Sequence, residues 1–174
     1  MLDLNVGDDI MNDLKVRQPR EFAKALALVH HDKPAELKAF LLNNFHLKTA
    51  YQVSAVTESR EYHGGDEVDT TEVKTEKNLM WFAIQKNKPE CLKVLIDFYG
   101  TLENCEKTVT TATHTTYFFG GRSSEHESKN HKNAVKVAEA CEASLSVKQV
   151  LFDSFPQSMA TSEKEKTKVN FLKW

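Results

Sequence analysis

The sequence predicts a mainly α fold, a solenoid of three helical hairpins carrying two long inserted β-hairpins. Three observations predict it. First, Leu79, Phe82 and Ala83 share one helical face, and Leu92, Leu95, Ile96 and Tyr99 share another, the three- and four-residue spacing of amphipathic helices. Second, the pattern recurs 55 residues away in both directions. Lys33-Pro34 lies under Lys88-Pro89, Leu37-Lys38 under Leu92-Lys93, and Phe40-Leu41 under Leu95-Ile96. Val147-Lys148 and Val150-Leu151 take the same places downstream, while Leu28, Ala83 and Ala138 share one column and Ala27, Phe82 and Val137 the next. A fixed period found twice marks a repeat array, whose units stack because none buries its apolar face alone. Third, a Gly-Gly turn flanked by alternating residues separates each helical pair from the next.

The elements follow in order. Residues 1–18 mix apolar side chains with Asp and Asn, and Ile10, Met11 and Leu14 suit a short amphipathic cap over the first exposed face. Pro19 opens the first helix, which runs through Phe22, Leu26 and Val29 to His31, and Pro34 opens its partner, Ala35 to Asn44. From Tyr51 to Glu58 the rhythm changes to that of a strand, and Val68, Thr70, Glu72 and Lys74 return after His63-Gly64-Gly65-Asp66. Two glycines accept the positive dihedrals of a tight hairpin turn. Thr75 is expected to cap the next helix.

Between the helices of residues 79–100, Lys86-Asn87-Lys88 makes a turn, because Asn tolerates left-handed dihedrals. Pro89 suits the first helical position, and Gly100 closes the helix. Thr108 to Thr113 is β-prone through its branched side chains, and Tyr117-Phe118-Phe119-Gly120-Gly121-Arg122 forms the second tip. The returning arm, Ser123 to Asn130, is polar and His-rich, so a short or frayed strand is expected. Helix five is expected near His131, and helix six runs from near Ser144 to about Ser154. Residues 157–166 read as a mobile loop, and Val169 to Trp174 as a closing strand or cap. These elements form one domain with units at about 19–74, 75–129 and 130–174, and a tail or cap at 156–174.

Composition narrows the function classes. The chain has 174 residues, 40% hydrophobic and 28% charged, with a net charge of −2. No global basic field favours nucleic acid or an anionic membrane, so neither is expected as a partner. No apolar run approaches the roughly 18 residues that span a bilayer, and the N-terminus lacks the cationic start and apolar middle of a secretory signal. Cys91, Cys105 and Cys141 have no metal-binding spacing, and their odd number argues against a disulfide framework. A reducing, cytoplasmic compartment is the expectation, with Cys91 and Cys141 as small buried apolar residues.

The helix pairs resemble ankyrin repeats. Met80-Trp81-Phe82-Ala83 is similar to the family's leading-helix motif, and Glu90-Cys91-Leu92-Lys93-Val94-Leu95-Ile96 to its second helix. Val135 to Ala138 with Val147 to Phe152, and Ala25 to Leu28 with Glu36 to Leu42, are further matches. The family's Thr-Pro before the leading helix is absent, and its turn glycine is replaced by Asp32, Asn87 and Glu142. An ankyrin unit is about 33 residues, so each period here carries about 22 more, all in the hairpin. The resemblance implies a protein-binding array whose leading-helix ends and turns face partners, which here means Gln85, Lys86 and Lys88.

The Gly-Gly tips are the other candidate partner-binding surface. Tyr62 and His63 flank one, and Tyr117, Phe118, Phe119 and Arg122 flank the other. Aromatic rings on an exposed tip serve as binding anchors, and Arg adds a forked donor. The alternative is that Phe118 and Phe119 fold back onto the helices or between the hairpins.

Catalytic and metal chemistry find little footing. His126, Glu127 and His131 sit on a polar arm that is a poor frame for the rigid ligands zinc needs. His30 and His31 end a helix, where the dipole favours a cation. No phosphate-cradling loop or nucleophile motif occurs, so no cofactor, metal or enzyme activity is expected. Glu163 and Glu165, followed by Phe171-Leu172, are similar to the C-terminal secretion signals of bacterial effectors, which implies delivery into a host cytosol. The expected function is a protein–protein interaction module, monomeric or weakly self-associating, using the hairpin tips and the concave helical face. An enzyme or enzyme-modulating domain with a site between hairpins and helices is one alternative. A structural module self-associating through exposed hairpin edges is the other.

Overall fold

The computed structural model describes residues 20–62, 66–117 and 121–155. The expected cap at 1–18, the tail at 156–174, and the site residues His63, Phe118 and Phe119 lie outside these.

Among the described residues, six helices form three pairs. They are α1 (Arg20–His30) with α2 (Pro34–Leu42), α3 (Leu79–Gln85) with α4 (Pro89–Tyr99), and α5 (Ala134–Ala140) with α6 (Leu145–Ser154). The leading helices α1, α3 and α5 pack in sequence, and so do α2, α4 and α6. One apolar interior runs through them, with Phe22, Leu37, Leu79, Met80, Ile84, Leu92, Leu95, Val137, Val147 and Leu151 essentially inaccessible to water.

The turns inside the pairs repeat in detail. Asp32, Asn87 and Glu142 all adopt left-handed backbone, with φ of 56°, 52° and 51°. In each, the second residue beyond the leading helix donates its N–H back into that helix: Asp32 to Val29, Asn87 to Ile84 and Glu142 to Glu139. Pro34 and Pro89 then occupy first helical positions, where a missing N–H costs nothing. The third pair uses a side-chain cap instead, the Ser144 hydroxyl accepting from the Val147 N–H at 3.4 Å. Gly100 closes α4 at φ 72°, the left-handed position that favours glycine.

The mainly α class is corrected by the strands. Strand accounts for 34% of the described structure and helix for 46%, an α/β fold. Four strands of eleven residues each, β1 (Gln52–Tyr62), β2 (Glu67–Lys77), β3 (Glu106–Thr116) and β4 (Arg122–Lys132), form one antiparallel sheet in the order β1-β2-β3-β4. The two hairpins are therefore not separate insertions on an ankyrin-type helical solenoid. β2 and β3 pair along their whole length, from Glu67 opposite Thr116 to Lys77 opposite Glu106, and the Tyr117 N–H donates to Asp66 O at 2.8 Å beyond the last pair. The physical reason is backbone satisfaction. Two neighbouring hairpins would each leave a row of unpaired N–H and C=O groups, and joining them removes two such edges.

Boundaries shift accordingly. Thr75 lies within β2, and Asn78 caps α3 instead, its Oδ1 accepting from the Trp81 N–H at 3.2 Å. His131 lies within β4, and Asn133 caps α5 by accepting from the Lys136 N–H at 2.9 Å. The polar arm expected to fray is a full strand, because β3 supplies its hydrogen bonds along the whole register. A 3₁₀ turn, Phe45–Thr49, which the sequence reading lacks, links α2 to β1.

The sheet is anchored to the helices at its root. Glu106, buried at the start of β3, accepts from Trp81 Nε1 at 2.8 Å through one oxygen and pairs with Lys132 Nζ at 2.6 Å through the other. Lys77 Nζ sits 3.7 Å from the Trp81 ring centroid. Leu102 O accepts from the Ala134 N–H and Cys105 O from the Asn78 N–H, closing the loop between α4 and β3 onto both neighbouring helix starts. Among the described residues, no helix is long and apolar enough to cross a membrane.

Candidate functional site

The structure separates the partner-binding residues expected from the sequence into two places. Tyr62, Tyr117 and Arg122 gather at the far end of the sheet, where Tyr62, Glu67, Thr116 and Arg122 form one cross-strand row. Both tyrosines are exposed. Gln85 and Lys86 instead line a groove of about 310 Å³ with Leu26, Val29, His30, Phe82 and, from the root of β1, Gln52. A strand rises about 3.4 Å per residue, so Gln52 and Tyr62 lie about 34 Å apart. The tip and the helical groove do not converge on one pocket. Lys88 is engaged elsewhere, pairing with Asp32 of the preceding helix pair at 3.7 Å.

A third surface, absent from the sequence reading, has the properties of a contact site. It lies on the second-helix side, where α2, the 3₁₀ turn and α4 meet. Leu42 and Phe45 are each 60% exposed. The Phe45 ring stacks on Phe98 at 6.4 Å between centroids and 21° between planes. Lys48 Nζ lies 5.4 Å from the Phe98 centroid. These residues, with Leu41, Val94 and Lys38, enclose a pocket of about 180 Å³, with Asp97 on its wall. Large apolar side chains clustered round a concavity are a common feature of contact surfaces.

Local hydrogen bonds brace this surface. Asn44 Nδ2 donates to Phe40 O at 2.8 Å, closing the end of α2. The following 3₁₀ turn buries Leu47 completely. The Tyr99 hydroxyl donates to Leu47 O at 3.5 Å and accepts from the Leu79 N–H at 3.4 Å, so α4, the turn and α3 share one bridge. Burial drives the Tyr99 pKa upward, so the hydroxyl keeps its proton. With Leu47 pointing in, Phe45 points out. The sequence held a signal for this: Leu42 falls in the 55-residue column of Asp97 and Phe152, and a column containing Asp is not a core column.

Ionisable groups also gather elsewhere, and two of those places bear on the expected chemistry. Glu106 is saturated by Trp81 and Lys132. Cys105, packed beside it, has a raised pKa through burial first and the Glu106 charge second, and Cys141 is raised for the same two reasons. On the sheet, His114 Nδ1 lies 2.5 Å from Asp69 Oδ1 across directly paired positions. This pair borders an open depression that Glu125 and His126 also line. His126 and His131 are an odd number of positions apart on β4, so they project to opposite faces, and Glu127 pairs with Lys129 at 2.6 Å. The strand thus does not bring His126, Glu127 and His131 together. Among the described residues, no group of three or more His, Cys, Asp or Glu side chains is placed to hold a metal ion.

In comparisons with known proteins, no family model, no curated protein and no solved structure matches this chain.

Proposed function

We propose that the protein is a binding module for another protein, engaging it through the apolar pocket between α2, the 3₁₀ turn and α4. One observation carries the reading: Leu42 and Phe45 hold more than half their surface in water beside Phe98, at a point braced by Asn44 and Tyr99. Contact energy at protein interfaces concentrates in apolar anchors that fill such pockets. Lys38 and Lys48 flank the pocket against the single carboxylate of Asp97. The fitting partner is therefore a segment with one large apolar anchor and acidic neighbours. The exposed tyrosines at the sheet tip stand too far away to share that anchor.

Selection from a random peptide library displayed on phage tests this reading. The protein is expected to enrich sequences with an aliphatic or aromatic anchor beside Asp or Glu. Phe45→Ser is expected to lose them while keeping its melting temperature, since Phe45 is exposed. Lys48→Glu is expected to weaken the acidic members most. Equal enrichment by wild type and Phe45→Ser would refute the proposed site.

A further inference from the structure

β1 lies at an edge of the sheet, with its outer backbone groups unpaired among the described residues and Ser54 to Tyr62 exposed. Alternate residues of a strand share a face. Val56, Glu58, Arg60 and Tyr62 line one face, and Thr57, Ser59 and Glu61 the other. Val56 and Tyr62 are the large apolar side chains that the described part of the sheet exposes within its strands, at 60% and 43%. Neither Glu58 nor Arg60 has an ion pair among the described residues.

This edge is complementary to itself. When a second copy of β1 is laid antiparallel beside the first with Ser59 on the two-fold axis, Glu58 stands opposite Arg60 and Arg60 opposite Glu58. Val56 stands opposite Tyr62, and Tyr62 opposite Val56. On the reverse face Thr57 meets Glu61, and Ser59 meets Ser59. No like charges face each other at any of the seven positions. Opposite charges and aromatic–β-branched pairs directly across antiparallel strands are both stabilising. Because each residue meets one of its own parity, outward-facing backbone groups meet outward-facing ones.

We infer that the protein associates with a second copy of itself through the β1 edge, forming an isologous dimer whose sheet continues across both molecules. An isologous contact of this kind closes on itself and does not propagate. Gln52, at the root of β1, lies seven residues from Ser59, about 24 Å along the strand, and the two helical bodies extend in opposite directions from the axis. The other edge, β4, is less suited. It carries no large apolar side chain, Glu127 is occupied by Lys129, and Lys132 by Glu106. The inference is independent of the apolar pocket, which lies on the second-helix side.

Sedimentation velocity of the full chain over a concentration series tests the inference, with circular dichroism confirming that each variant folds. Wild type is expected to dimerise. Arg60→Glu places like charges opposite each other twice, and is expected to raise the dimer dissociation constant about tenfold or more. The swap Glu58→Arg with Arg60→Glu restores both pairs and is expected to return within about threefold of wild type. Ser59→Cys is expected to give, on mild oxidation, a dimer whose linking peptide joins residue 59 to residue 59. Phe45→Ser is expected to leave the dimer unchanged. A monomer at all concentrations would overturn the inference, even one that accepts a strand from another protein. So would a dimer indifferent to Arg60→Glu, or a double variant as weak as the single one.

Discussion

The Asn87 Oδ1 accepts a 2.7 Å hydrogen bond from the Ser144 N–H, so the left-handed turn of one helix pair satisfies the start of the second helix in the next. Asp32 occupies the equivalent turn one period earlier and reaches the next pair through Lys88 at 3.7 Å and the Cys91 thiol at 3.6 Å. Asn87→Ala removes the bond and puts Ala at φ 52°. It is expected to destabilise by about 1–3 kcal/mol. Asn87→Gly relieves the backbone and loses only the bond, so it should cost less. Urea denaturation of both variants measures the split.

Core and surface leucines should separate cleanly. Leu95 is fully buried, whereas Leu145 is 84% exposed on α6. Leu95→Ala is expected to cost about 2–5 kcal/mol through lost contacts and a cavity. Leu145→Ala is expected to stay within about 0.5 kcal/mol of wild type. Thermal unfolding distinguishes them.

Glu106 joins the sheet to the helices, and its two partners allow a graded test. Glu106→Gln keeps an acceptor for Trp81 Nε1 while losing the ion pair to Lys132. Glu106→Ala leaves the indole N–H without its partner as well. The expected order of stability is wild type, then Gln, then Ala, with Ala about 2 kcal/mol or more below wild type. Chemical denaturation orders the three, and Ala as stable as wild type would show the bridge to be dispensable.

The Cys91 thiol is pushed up to about 11, by burial first and by the neighbouring Asp32 carboxylate second. A raised acid pKa means that folding favours the protonated thiol. The stability it contributes is fully present below the ordinary thiol range and is lost as pH rises toward 11. Alkylation of folded protein by iodoacetamide at pH 7.5 should therefore start at the half-buried Cys141, with Cys91 and Cys105 following only on unfolding. Mass spectrometry after timed quenching reads the order.

The helices were legible in the sequence because their signals are local. The 55-residue columns named Leu37, Leu92 and Val147 as equivalents, and all three are buried. Asp32, Asn87 and Glu142 stood where the turns proved left-handed, and Gly100 closed α4. The sheet was less legible because strand pairing is not a local property. Alternation identified β1, yet Thr108 to Thr116 is polar enough on both faces that nothing in its pattern specified β2 as neighbour. Ser123 to Asn130 has weak strand preference of its own, and only hydrogen bonds from β3 order it. Thr75 suited a cap by residue type, but Asn78 stands at the true helix start. The apolar pocket was only partly legible: the 55-residue columns set Leu41 with buried Ile96 and Leu151 and Leu42 with Asp97 and Phe152, but nothing in them announced the 3₁₀ turn that brings Phe45 onto Phe98.

Chemical-shift mapping with a selected acidic–apolar peptide bears most directly on where this protein binds. Titrated into isotope-labelled protein, the peptide is expected to move the resonances of Leu42, Phe45, Lys48, Val94 and Phe98, with Phe45→Ser abolishing the changes. Shifts confined to Tyr62, Tyr117 and Arg122 at the sheet tip, or to Gln85 and Lys86 in the helical groove, would contradict the account.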